Sequence, residues 1–183
     1  MYTKNIYFAG GNFYELQELF SRVRGVVATK AGYINSCTAN PQHKDVLAGG
    51  TGAAIGIKIS YNPKRIDLST LLDILCTVID PYTPNKQKKY AGNMYRNGVY
   101  YDEQEDEAIV QFYMHFIKSK RQKSSSMMSD TGMLGRKCYM EALPLKNFYP
   151  AEEVHQYYLR KNPATETVIN FMRLRELEII TAS

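Results

Sequence analysis

The sequence contains no tryptophan, and only three histidines and three cysteines among its 183 residues. Cys37, Cys76 and Cys138 are odd in number and lack metal spacing, which argues against a disulfide framework and, with so little histidine, against a zinc site. No apolar run approaches the ~20 residues of a membrane span. The opening Met1-Tyr2-Thr3-Lys4-Asn5 has no hydrophobic stretch and cleavage site of a secretory type, so a reducing cytoplasm is the expected setting. No phosphate loop is present. Gly50-Thr51-Gly52-Ala53-Ala54-Ile55 puts Ile55 where a dinucleotide fingerprint needs its third glycine, and it precedes a strand rather than following one. Neither a cofactor nor a metal is indicated. Neither charge dominates: 23 Lys and Arg against 18 Asp and Glu leave +5, spread along the chain as a solvated surface rather than a nucleic-acid interface.

What is there reads as one domain of mixed type. Asn5 to Ala9 is an apolar run predicting a buried strand. Leu16, Leu19, Phe20 and Val23 then recur at helical spacing, with Asn12 as N-cap, Glu15 completing a capping box and Gly25 as the stop. Val26 to Ile34 predicts a second strand and Asn35 to Gly52 a loop long enough to serve a site. Ile55, Ile57, Ile59 and Tyr61 alternate as in a half-buried strand. Leu68, Leu71, Leu72 and Leu75 mark a second helix, with Cys76 on its apolar face. Asp80 to Arg96 is irregular, Val99 to Tyr101 a short strand, and Glu103 to Lys118 a third helix with an acidic start suited to its dipole. Ser119 to Lys137 is polar and expected to be a mobile loop, and Cys138 to Leu143 a strand. Asn147 to Lys161 predicts a loop and short helix, and the stretch from 164 to 183 a divergent tail after a domain of residues 1–163. The intervals suit a two-layer α+β sandwich.

Several segments carry a more specific pattern. Phe8-Ala9-Gly10-Gly11-Asn12-Phe13-Tyr14 resembles the F-A-x-G-C-F-W opening of the peptide methionine-(S)-sulfoxide reductases. Gly32-Tyr33, Asn40-Pro41, Gly50-Thr51-Gly52, Asp80 to Gln87, Gly92 to Tyr101 and Phe148 to Leu159 resemble that family's later motifs, in order, across residues 6–163. The resemblance implies an α+β fold with a ferredoxin-like core wrapped by long coils, and a monomer. It also implies a chemistry: a helix-terminal thiolate attacks the sulfoxide sulfur and a Glu protonates its oxygen. Two Tyr hydroxyls and an Asp-fixed water hold that oxygen, and an aromatic pair cups the methyl. A second Cys resolves the sulfenic acid for reduction by thioredoxin.

The chain departs from this pattern where bonds are made and broken. Asn12 stands at the nucleophile position, Ile55 at the acid, His43 at one Tyr and Tyr90 at the Asp. An amide cannot attack sulfur, and an alkyl group donates no proton. Phe13, Tyr14, Tyr95, His155 and Tyr158 remain as candidates for holding a methionine or methionine sulfoxide side chain of a peptide. Two readings stand. One is a binding or regulatory protein without turnover; the other is a reductase using a different thiol, Cys37, with thioredoxin as its partner. No nucleic acid or membrane partner is expected.

Overall fold

The computed structural model describes residues 2–126 and 137–181. Its centre is an antiparallel sheet built from β1 (Lys4–Ala9), β2 (Val26–Ile34), β3 (Ala54–Tyr61) and β6 (Gly98–Tyr101), in the order β6-β1-β3-β2. Helix α1 (Phe13–Ser21) connects β1 to β2, and α3 (Leu68–Val78) lies on the path from β3 to β6. This β-α-β-β-α-β sequence with split strands is the ferredoxin-like arrangement. Two short strands extend it. β7 (Glu141–Pro144) runs parallel to β6, and β8 (Phe148–Pro150) runs antiparallel to β2.

The period of two sorts the strands into faces. Ile6 and Phe8 of β1 and Ile55, Ile57, Ile59 and Tyr61 of β3 join one core with Leu16, Leu19 and Phe20 of α1 and Leu71, Leu72 and Leu75 of α3. Tyr7, Ala9, Ile34, Ala54 and Tyr100 form a smaller cluster on the other face, closed by Leu145 and Phe148. Gly56 sits where the strands approach most closely. A Cβ there would lie 2.4 Å from the Phe8 carbonyl oxygen.

Several expectations change in the folded chain. The Asn35–Gly52 loop contains a short helix, α2 (His43–Leu47). The irregular stretch from Asp80 holds a small hairpin, β4 (Lys86–Gln87) with β5 (Tyr90–Ala91), and a single 3-10 turn over Asn93–Tyr95. Helix α1 ends at Ser21, and Gly25 (φ +97°) instead turns the chain into β2. Helix α4 (Gln104–Ser126) continues past the predicted end at Lys118, and residues 127–136 of the predicted loop lie outside the described residues. Cys138 precedes β7 rather than starting it.

Past residue 163, α5 (Tyr158–Lys161) gives way to an extended segment and then α6 (Phe171–Glu176). Ile169, Leu174 and Ile180 of this stretch are buried in the main core. The Thr181 N–H donates to the Arg22 carbonyl at 3.0 Å.

The acidic start of α4 does more than complement a helix dipole. Lys4 Nζ lies 2.5 Å from Asp106 Oδ1, 2.5 Å from Glu105 Oε1 and 3.2 Å from Glu103 Oε2. Burial disfavours the ammonium, but these three carboxylates outweigh it and hold its pKa above the ordinary lysine value.

Candidate functional site

Strand β1 ends in Gly10 and Gly11, and the left-handed φ of +74° at Gly11 swings the chain into α1. Asn12 is then the N-cap. Its Oδ1 accepts the Tyr14 N–H at 2.9 Å, satisfying one free donor of the helix start. Its side chain also works against the rise that burial and Glu15 give the Tyr90 pKa. The oxygen of Asn12 is therefore engaged in the cap.

Glu15 does not complete the capping box that the sequence predicts. Oε1 accepts the Tyr90 hydroxyl at 2.7 Å, and Oε2 accepts the N–H groups of Val168 at 2.9 Å and Ile169 at 2.8 Å. A carboxylate in the first turn has a choice between the N-cap N–H and other donors. Here the C-terminal segment supplies two, in a buried position. The cavity left between Gly10, Asn12, Glu15, Tyr90 and Ile169 measures about 10 Å³, roughly one water.

Beside this narrow pocket lies an aromatic group. The Phe13 and Tyr14 rings are 4.9 Å apart between centroids, and Tyr14 stacks on Tyr158 at 4.1 Å. His43 stacks on Phe13 at 5.8 Å and meets His155 at 4.3 Å. Phe13 is fully buried, so Tyr14 is the more accessible ring of the pair. Burial, with smaller contributions from Tyr158, Glu152 and Tyr95, pushes the Tyr14 pKa up to about 12. Its hydroxyl therefore keeps its proton and lies 2.5 Å from His155 Nδ1, donating to the ring in one tautomer and accepting from it in the other.

Glu152 and Gln156 hold this group in place, although periodicity and local rules assign neither a role. Glu152 accepts the Tyr33 hydroxyl at 2.6 Å and the His43 N–H at 2.9 Å. Burial works against its charge, but these hydrogen bonds prevail and leave its pKa below the usual carboxylate range. Buried Gln156 accepts the Ala31 N–H and donates to the Ala31 and Ala151 carbonyls, each at 2.9 Å. It also accepts from Gln17, whose own Oε1 takes the Tyr157 N–H. Their positions inside the Phe148 to Leu159 motif were the available signal. Burial, then the neighbouring His155, pushes the His43 pKa down.

Tyr95 is the last residue of the 3-10 turn, its ring 5.4 Å from that of Tyr90. Its hydroxyl has no hydrogen-bond partner among the described residues, and burial raises its pKa, so it remains a free donor at neutral pH. Ile55 is 1% exposed and belongs to the sheet core. Cys37 lies in the loop after β2. Its N–H bonds the Thr51 carbonyl, and its thiol is exposed beside Gly52. Cys76 is pushed up to about 11, chiefly by burial, and with Cys138 packs against the core as a small apolar side chain.

The match to known proteins covers this whole arrangement. The family described as Peptide methionine sulfoxide reductase matches residues 4–179. The chain belongs to this family. It is 39% identical over 160 residues to Peptide methionine sulfoxide reductase MsrA of Clostridium botulinum, covering 87% of this chain and 94% of that protein. The Mycoplasma genitalium protein of the same name is 37% identical over the same coverage. Among solved structures, methionine sulfoxide reductase A of Corynebacterium diphtheriae superposes with a TM-score of 0.79 at 25% identity, over 92% of this chain and 82% of the other. Membership of the reductase family extends beyond residue 163, since the match reaches Ile179. Among the described residues, no helix is long and apolar enough to cross a membrane.

Proposed function

We propose that this member of the methionine sulfoxide reductase family binds a methionine-type side chain of a peptide without reducing its sulfoxide. The observation that carries the reading is the head of α1. Asn12 stands there with its oxygen committed to the Tyr14 N–H as the N-cap. A neutral amide has no lone pair able to attack sulfur. Buried Ile55 offers no proton to a sulfoxide oxygen, and loss of a general acid alone typically costs about 10² to 10⁴ in rate. The three cysteines are free: Cys37 beside Gly52, Cys76 on α3 and Cys138 ahead of β7. Unpaired thiols support a reducing cytoplasmic setting.

What remains suits weak recognition. The Tyr14 face, the edge of the aromatic group and the free Tyr95 hydroxyl are the contacts on offer. Sulfur–aromatic contacts of about 0.3–1.5 kcal/mol each and one hydrogen bond of about 0.5–1.5 kcal/mol reach at most about −4 kcal/mol, a Kd near ~1 mM. Useful affinity then comes from residues flanking the methionine in the peptide.

Turnover with a methionine sulfoxide peptide and dithiothreitol tests the reading, followed by titration calorimetry with the same peptide. Background turnover together with measurable heat is the expected result. Reduction abolished by Cys37→Ser overturns it in favour of a Cys37 reductase, for which thioredoxin is the natural electron donor. No heat at millimolar peptide overturns the binding role.

A further inference from the structure

A second concave region lies away from Asn12, where the turn into β2 meets the loop before α3 and residues 178–179. Its volume is about 500 Å³, within the ordinary range of small-molecule sites. Its floor is apolar: Val23 is 5% exposed, Ile66 9% and Ile74 8%. Ile179 forms part of the wall.

The rim is charged, and the charges are distributed unevenly. Arg24, Lys64 and Arg65 all line the cleft and all are exposed. They come from two loops held side by side. The Asn62 N–H bonds the Gly25 carbonyl at 2.8 Å, and a Cβ at Gly25 would lie 3.3 Å from Arg65 Cβ. None of the three cations forms an ion pair or a side-chain hydrogen bond among the described residues.

Two acids also line the cleft, Asp67 and Glu178. Asp67 is already used, since its Oδ1 accepts the Thr70 N–H at 2.7 Å as the N-cap of α3. Three uncommitted cations therefore face one uncommitted carboxylate over an apolar floor, and the N-terminus of α3 adds positive potential.

We propose that this cleft is a binding site for a small amphipathic anion, an apolar chain ending in a carboxylate. The chain would cover Val23, Ile66 and Ile74, and the carboxylate would sit among Arg24, Lys64 and Arg65. Arg24 and Arg65 each present a planar fork matching a carboxylate, and Lys64 adds a point charge. An alkyl carboxylate and an N-blocked apolar amino acid both carry this chemistry. The site stands independently of what binds at Asn12.

The test is an amide chemical-shift titration of the ¹⁵N-labelled chain with octanoate, with N-acetyl-leucine and with octylammonium, each to about 10 mM. Either carboxylate is expected to move the amides of Arg24, Ile66, Thr70 and Ile179, and octylammonium to act about tenfold more weakly or less. A stronger response to N-acetyl-leucine identifies an amino-acid or peptide C-terminus, and a stronger response to octanoate an alkyl acid. The double variant Lys64→Glu, Arg65→Glu should weaken binding about tenfold or more, and so should Thr70→Trp, which fills the cleft without changing its charge. All three positions are exposed, and amides elsewhere in each variant's spectrum report its folding. Equal response to octylammonium, retained binding in the charge-reversed variant, or no shift with either carboxylate overturns the proposal.

Discussion

The Tyr90 hydroxyl donates to Glu15 Oε1 at 2.7 Å, while the other oxygen of that carboxylate takes the N–H groups of Val168 and Ile169. Tyr90 thereby couples the β4–β5 hairpin to the first turn of α1. The residues around the head of α1 thus form a relay that ties the C-terminal segment down. Lys88 reinforces it, its Nζ donating to the Val168 carbonyl at 2.5 Å.

The first prediction follows from that relay. Glu15 is 3% exposed, and truncating it strands two backbone N–H groups. Each buried unpaired donor costs about 1–3 kcal/mol, so Glu15→Ala should lose about 2–6 kcal/mol in urea unfolding. Hydrogen exchange at Val168 and Ile169 should accelerate in the same variant. A loss below about 0.5 kcal/mol, the range of a neutral surface change, would mean the carboxylate does not hold the segment.

Lys4 offers a stability test remote from the site. Asp106 is fully buried, and its Oδ2 has no hydrogen-bond partner, so its charge depends on the Lys4 ammonium at Oδ1. Removing one member of a buried pair costs about 3–5 kcal/mol. Lys4→Met should show a loss of this size, and adding Asp106→Asn should recover part of it. Because the Lys4 pKa is raised, the pair's contribution persists at neutral pH and fades only as pH climbs past the ordinary lysine value of 10.5.

The sequence was legible where periodicity or a local rule decides the outcome. The alternation of Ile55, Ile57, Ile59 and Tyr61 placed one face of β3 against the helices, and Asn12 read correctly as a cap. Glu15 was misread because a capping box is a local pattern, whereas its partners lie 75 and 153 residues or more away in the chain. Lys4 escaped for the same reason, since its carboxylates lie about a hundred residues on. The hairpin carrying Tyr90 consists of two-residue strands, too short to produce an alternation that could be read.

The histidine pair gives a pH prediction. Burial and then His155 depress the His43 pKa below its ordinary 6.5. The unfolded chain therefore takes up a proton before the folded one. The stability associated with neutral His43 is complete above about pH 6.5 and declines as pH falls from there toward the folded-state pKa. His43→Phe keeps a ring against Phe13 and removes the titration. Its stability should depend less steeply on pH between about 6.5 and 5 than that of the parent chain. Superimposable pH profiles would show that His43 titrates as freely folded as unfolded.

The last prediction concerns restoring the nucleophile. In Asn12→Cys the thiol would sit at the positive end of the α1 dipole, which favours thiolate, and it should react readily with a disulfide reagent such as DTNB. Two features still oppose catalysis. Ile55 supplies no proton to the leaving oxygen, and the Glu15–Tyr90–Ile169 closure leaves only about 10 Å³ beside position 12. The lost cap adds a stability cost of about 1 kcal/mol. Dithiothreitol-driven reduction by Asn12→Cys should therefore stay at least about 100-fold below that of a family member with both thiolate and acid, the lower bound for a missing general acid. Adding Glu15→Ala should raise the rate by opening the space, since it frees Val168 and Ile169 from the head of the helix. A single-substitution rate within about tenfold of a complete enzyme would show that a proton reaches the leaving oxygen without an acid at position 55.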